Sequence, residues 1–181
     1  MNVFVLLIFI ATVLSQGLDL SKFLQHDYHF TIERADVHHY DKRYMNYLQA
    51  VPFKCNRTHV ALNGTLNFKI NVGSELVVMV QMYRFASNEY RLFPVRFQDK
   101  FCKFLEENVA GFQRLLNCGN FVGCPVVSNT NITVCNFIPD DSKLPPLIPS
   151  GSYKVNLHGF YSDNELFVLE IYGKITRPEV K

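Results

Sequence analysis

The stretch LNGTLNFKI (Leu62–Ile70) places Leu62, Gly64, Leu66, Phe68 and Ile70 on one side of an extended chain and Asn63, Thr65, Asn67 and Lys69 on the other. Successive side chains of a strand leave on opposite faces, so a period of two predicts a strand with one face buried and one wet. Downstream, Asn71 to Ser74 reads as a turn into Glu75–Phe85, where Leu76, Val77, Val78, Met79 and Val80 run without alternation. That run predicts a central strand, buried on both faces or facing an apolar space on one of them. Ser87 and Asn88 make the next turn, and Tyr90–Phe97 forms a further strand whose Pro94 argues for an edge or a bulge. Near the end, Tyr153, Val155 and Leu157 alternate with Lys154 and Asn156, a turn follows at Ser162–Asn164, and Phe167, Leu169 and Ile171 alternate in their turn. Tyr28, Phe30 and Ile32 give a first strand in the otherwise poorly patterned Leu18–Val51 region. About six to eight strands and one helix result, a mainly β fold that suits a two-sheet sandwich.

The helix is predicted from FCKFLEENVAGFQRLLNCGNFVGCP (Phe101–Pro125). Phe101, Phe104, Leu105, Val109, Phe112, Leu115 and Leu116 recur at spacings of three and four, and Asn117-Cys118-Gly119 should end the helix. Cys102 lies in the first turn, and Cys124 stands before Pro125 in the strand expected to follow. We read the two as a bridge pinning the helix start to that strand. The chain holds five cysteines, which allow fifteen arrangements of two bridges and one thiol. The segment PDDSKLPPLIP (Pro139–Pro149) carries four prolines and is expected to be an extended connection over the surface.

Val3–Leu14 is an apolar run followed by Ser15, Gln16 and Gly17. Twelve helical residues reach about 18 Å, too short for a bilayer core of roughly 30 Å, so residues 1–17 are read as a cleaved signal peptide. Residues 18–181 then form one domain, secreted and extracellular. Sequons at Asn56, Asn63 and Asn131 agree with export and predict N-glycans. The net charge is +2, with both signs interspersed, which gives no support for nucleic acid as a partner. Sixteen Phe and nine Tyr with no Trp imply an aromatic interior, either densely packed or lining a pocket. His26, His29, Asp36, His38, His39 and Asp41 crowd one polar passage, but their spacing fits no zinc pattern, and they are expected as solvated loop residues with no metal.

The order of these motifs carries a resemblance. NRT (Asn56–Thr58), LVVMVQMYRF (Leu76–Phe85), YRLFPVRFQDKFCKFLEEN (Tyr90–Asn108), CPV (Cys124–Val126) and IPSGSYKVNLHGFYSDNELFVLEIYGKI (Ile148–Ile175) together resemble insect secreted proteins related to the ganglioside-activator-type lipid-recognition (ML) fold, near the chemosensory B proteins. The similarity runs from about residue 53 to 175. It implies an immunoglobulin-like sandwich of the ML type whose sheets splay around a cavity for a lipid or other apolar ligand. An FC joined to a downstream CP in that family carries over onto Cys102 and Cys124. Cys118 and Cys135 stand as additions, and a bridge between the two is one of the arrangements left open. Relatives commonly have a cysteine upstream of the position matching Cys55, and this chain has none there.

The expected function is therefore a non-enzymatic, monomeric binding protein that shelters or presents an apolar ligand between two sheets, without a cofactor. The lining is expected from Phe68, Ile70, Val78, Val80, Met82, Phe97, Phe104, Phe112, Val155, Leu157, Phe167 and Leu169. The alternative is a chemosensory or signalling accessory that works by touching a membrane receptor or channel through the loops around Asn131–Pro149. An enzyme is not expected, since the sequence carries no nucleophile elbow, P-loop or HExxH motif.

Overall fold

In the computed structural model, which describes residues 28–56 and 59–177, eight strands form in the order β1 (His29–Tyr40), β2 (Met45–Lys54), β3 (Val60–Phe68), β4 (Val77–Ala86), β5 (Glu89–Lys100), β6 (Ile132–Phe137), β7 (Gly151–Tyr161) and β8 (Asn164–Thr176). The expected signal peptide and His26 lie outside the described residues. Five strands make one antiparallel sheet in the order β1-β8-β7-β4-β5, and β2-β3-β6 make a second. The two face each other as an immunoglobulin-like sandwich. The alternating stretch at Leu62–Phe68 becomes β3, the middle strand of the smaller sheet, with Leu62 and Phe68 buried.

β4 lies between β5 and β7, as an apolar run should. Val78, Val80 and Met82 are buried inside, while Val77 and Met79 on the other face are only half covered. Pro94 does sit in an edge strand, β5, and the opposite sheet's edge strand β2 carries Pro52. A proline lends no N–H to a ladder, so neither free edge offers an unbroken row of donors. Buried Gly159 on β7 packs against the Phe167 ring on β8, where any Cβ would collide with it.

Several expectations need correction. His38 and His39 are not loop residues: β1 runs through them to Tyr40, paired with β8, and its register slips between Val37 and His39. β2 is not legible in the sequence, because its inner face (Leu48, Ala50, Pro52) is only half covered while its exposed outer face carries Val51 and Phe53. The expected long helix is broken. An α-helix, α1, covers only Phe101–Glu106, followed by a tighter 3₁₀ segment, Val109–Leu116. Asn108, Ala110 and Gly111 between and within them adopt left-handed backbone angles. Gly111 explains the break, since its Cα lies so close to Asp140 that a Cβ would come within 2.8 Å of that residue. The apolar stripe still faces inward, with Phe104, Leu105 and Phe112 buried, but along a kinked path. After Cys124 there is no strand, only an isolated bridge between Val126 and Val72. The region around Asn131, expected as an exposed loop, leads directly into β6 at Ile132.

Both cysteine pairs are joined, Cys102 to Cys124 and Cys118 to Cys135, with Cα atoms 5.8 Å and 5.2 Å apart. The first clamps α1 to the bridge segment, and the second ties the end of the 3₁₀ segment to β6. Cys55 remains as an exposed thiol.

On the outer face of the larger sheet, Lys154 donates to Glu170 at 2.8 Å and Tyr172 donates to the other carboxylate oxygen at 2.7 Å. Lys154 also lies over the Tyr83 ring, and the Arg34 guanidinium lies over Tyr172 at 4.0 Å. Burial by itself would raise the Glu170 pKa, but the two hydrogen bonds outweigh it and hold the carboxyl below its usual value of 4.5.

Two outcomes follow from this architecture. Replacing Cys102 and Cys124 with Ser should cost about 3 kcal/mol, the loop-closure entropy of a bridge of this span, read from urea unfolding. For Glu170, the unfolded chain protonates at the ordinary value and the folded chain lower. Its stabilisation is therefore complete above pH 4.5 and drains away as pH falls through the lowered value. The urea midpoint of Glu170→Gln should fall less steeply with acid than that of the unaltered protein; parallel curves would disprove the assignment.

Candidate functional site

Two apolar chambers lie between the sheets. The first, of about 160 Å³, is walled by Leu48 and Ala50 of β2, Leu62, Leu66 and Phe68 of β3, Val78 of β4, Ile132, Val134 and Phe137 of β6, and Phe167, Leu169 and Ile171 of β8. Phe101, Phe112, Leu115, Phe121 and Val126 of the connecting segment close its side. Small residues account for part of the space: Gly64 at the centre of β3 has no side chain, and Ala50 beside it has only a methyl group. Gln49 is the one amide at the wall, and its Oε1 accepts from the Thr65 hydroxyl at 3.4 Å.

The second chamber, of about 90 Å³, is bounded by Phe30, Val80, Met82, Phe97, Val155 and Ile175 from the larger sheet and by Pro139, Leu144, Pro145 and Ile148. Phe112, Phe137, Leu157 and Ile171 border both chambers and form the partition between them. A wider hollow of about 360 Å³ lies outside, over Gln49, Val51, Asn63, Thr65, Thr133 and Cys135 on the outer face of the smaller sheet. It is larger but shallow and open to solvent, so we give the apolar chambers between the sheets more weight as a site.

The proline-rich segment Pro139–Pro149 is more than a surface connection, because its inward side chains roof the second chamber. Its fastenings are polar. Arg114 donates to the carbonyls of Ile138 and Pro139 and pairs with Asp140 at 3.2 Å. Asp141 accepts from the Phe30 amide at 3.1 Å and lies 3.1 Å from the His29 ring. Tyr28 donates to the Pro145 carbonyl at 2.6 Å, and Tyr153 donates to that of Pro149 at 2.8 Å. Burial, reinforced by nearby Asp141, pushes the Tyr28 hydroxyl up to about 12, and burial raises Tyr153 as well. Both phenols therefore stay protonated, as donors, through the ordinary pH range.

Of the residues expected to line a cavity, Phe68, Val78, Phe167 and Leu169 border the first chamber, Val80, Met82, Phe97 and Val155 the second, and Phe112 and Leu157 both. Ile70 and Phe104 border neither. Ile70 lies past the end of β3, and Phe104 is packed between the rings of Phe97 and Phe112 at 5.8 Å and 5.7 Å. Leu62 and Leu66 belonged to the expected buried face of β3 and were legible. Phe137, Ile132 and Val134 were missed with their strand, and Leu144 and Ile148 were hidden among prolines.

Asn63 and Asn131 both lie at the outer surface. Asn63 accepts from the Asn136 amide at 2.9 Å and Asn131 from the Asn67 side chain at 2.6 Å through their Oδ1 atoms, which directs each amide nitrogen away from those bonds. Asn56 stands at the turn between β2 and β3. No group of three or more His, Cys, Asp or Glu side chains able to hold a metal occurs among the described residues, and none of their helices is long and apolar enough to cross a membrane. His158 pairs with Glu165 at 2.7 Å on the outer face, and neither borders a chamber.

The sequence profile of a family described as a protein of unknown function (DUF1091) matches residues 77–155, from the start of β4 to the middle of β7. A search of curated proteins finds no match.

The tyrosine fastenings are open to test. Tyr28→Phe should lower stability by about 1 kcal/mol, the usual worth of one such bond. It should also speed amide hydrogen exchange at Asp140, Lys143 and Leu144, whose amides are bonded in this segment, more than in the β7–β8 hairpin; uniform acceleration would mean that the hydroxyl does not hold this segment.

Proposed function

We propose that this protein is a secreted, non-enzymatic carrier that shelters an apolar ligand between its two sheets. The observation that carries this reading is a pair of adjoining chambers whose walls are almost entirely hydrocarbon. Void space of this kind costs packing energy, and a cavity of about 150 Å³ with Leu, Ile and Phe walls stays dry and takes up benzene. Each methylene moved from water into such a place gains about 0.8 kcal/mol. No acid, base or nucleophile borders either chamber, which favours holding over chemistry. The resemblance to the ML lipid-recognition proteins points the same way, as does the apolar run at residues 3–14 for export. Two disulfides suit an oxidising compartment.

A second reading, an accessory protein that touches a receptor or channel, has its own support. Phe85, Tyr90 and Leu92 are exposed together at the β4–β5 hairpin, with the Phe85 and Tyr90 rings 5.1 Å apart. Such a cluster is a common feature of protein contact surfaces.

Mass spectrometry of protein purified from a eukaryotic secretion host should find an extractable apolar compound, released on denaturation. Leu66→Trp, which fills the first chamber, should weaken uptake of an apolar fluorescent probe at least tenfold while the protein still unfolds cooperatively. An empty protein that binds no probe would remove the carrier reading and leave the surface-contact one.

A further inference from the structure

We infer that the two chambers are one site for a single unbranched aliphatic chain, and that the ring pair of Phe112 and Phe137 is the gate between them. This rests on the carrier reading and adds the class and length of the cargo.

The chambers lie in series along the strands. On β4 the first meets Val78 and the second Val80 and Met82; on β8 the first meets Phe167 to Ile171 and the second Ile171 and Ile175. Strands rise about 3.4 Å per residue, so Phe167 to Ile175 spans about 27 Å and the first chamber alone about 14 Å. The void space sets the length of the cargo: on the scale by which a cavity of about 150 Å³ takes up the six carbons of benzene, the first chamber holds about six carbons and the two chambers together about ten. The partition is made of side chains alone. Phe112 stands on the kinked 3₁₀ segment and Phe137 at the end of β6, with ring centroids 6.0 Å apart and planes at 63°. Leu157 and Ile171 oppose them from the larger sheet, so a turn of the two rings opens a passage without moving a strand. Such a neck admits a thin chain and rejects fused rings. A polar group carried through it would lose its water with no partner offered by the walls.

The test is a chain-length series on the full secreted protein, with 1-hexanol and 1-decanol as probes in a competition assay. Decanol should bind the unaltered protein at least tenfold more tightly than hexanol. Phe137→Trp, which wedges the partition, should abolish that advantage and keep hexanol binding; Phe137→Ala should preserve or enlarge it. Ile171→Phe narrows the same neck from the opposite sheet and should act as Phe137→Trp does. Equal affinity for the two alcohols, unchanged by these variants, would overturn the single-chain site and leave the carrier reading intact. Failure of both alcohols to bind would overturn both.

Discussion

A sheet of three strands has to cover a sheet of five, and the architecture between the layers follows from that shortfall. Strands β2, β3 and β6 cannot reach across β1, β8, β7, β4 and β5, so non-strand chain must complete the cover. The segment from α1 through Phe121 closes one side with five phenylalanines, Phe101, Phe104, Phe112, Phe121 and, from β6, Phe137, stacked edge to face or tilted against one another. Pro139–Pro149 closes the other. Neither piece has the regular periodicity of a strand, so neither can interdigitate along the whole of the opposing sheet. The chambers are what remains where irregular cover meets a regular surface.

The kink in the helical segment belongs to the same problem. A straight helix from Phe101 to Leu116 would keep its apolar stripe on one line. Instead the left-handed residues Asn108, Ala110 and Gly111 turn the second half towards Asp140, and the Asp140 amide donates to the Ala110 carbonyl at 3.0 Å. The two pieces of cover are thereby joined to each other, with Arg114 adding three further contacts. The bridge from Cys102 to Cys124 fixes the start of this segment, and the bridge from Cys118 to Cys135 fixes its end.

The layered β fold was legible because β3, β4, β7 and β8 bury one face or sit inside a sheet, and burial writes itself into alternation or an unbroken apolar run. β2 and β6 were not, because a short or edge strand mixes exposed and half-covered residues: Val51 and Phe53 face outward while Thr133 and Asn136 interrupt β6. The periodicity over Phe101–Leu116 identifies which side chains are buried but not the break in the backbone. Periodicity reports the burial of side chains, whereas the break depends on a contact with Asp140, nearly thirty residues away. Most of the expected cavity residues border the chambers for the same reason that they were picked: they lie on the inner faces of readable strands. The partition ring Phe137 and the roof residues Leu144 and Ile148 sit where composition, loaded with Asn, Thr and Pro, disguises inward-pointing side chains.

The prolines at Pro52 and Pro94 bear on life at high concentration. Each falls in a strand that ends its sheet, and the remaining margins are a short β6 and a β1 that slips register twice. Such borders do not template a neighbouring molecule's backbone. The exposed Val51 and Phe53 on the β2 margin therefore stand beside backbone that offers a neighbouring molecule no continuous ladder to extend.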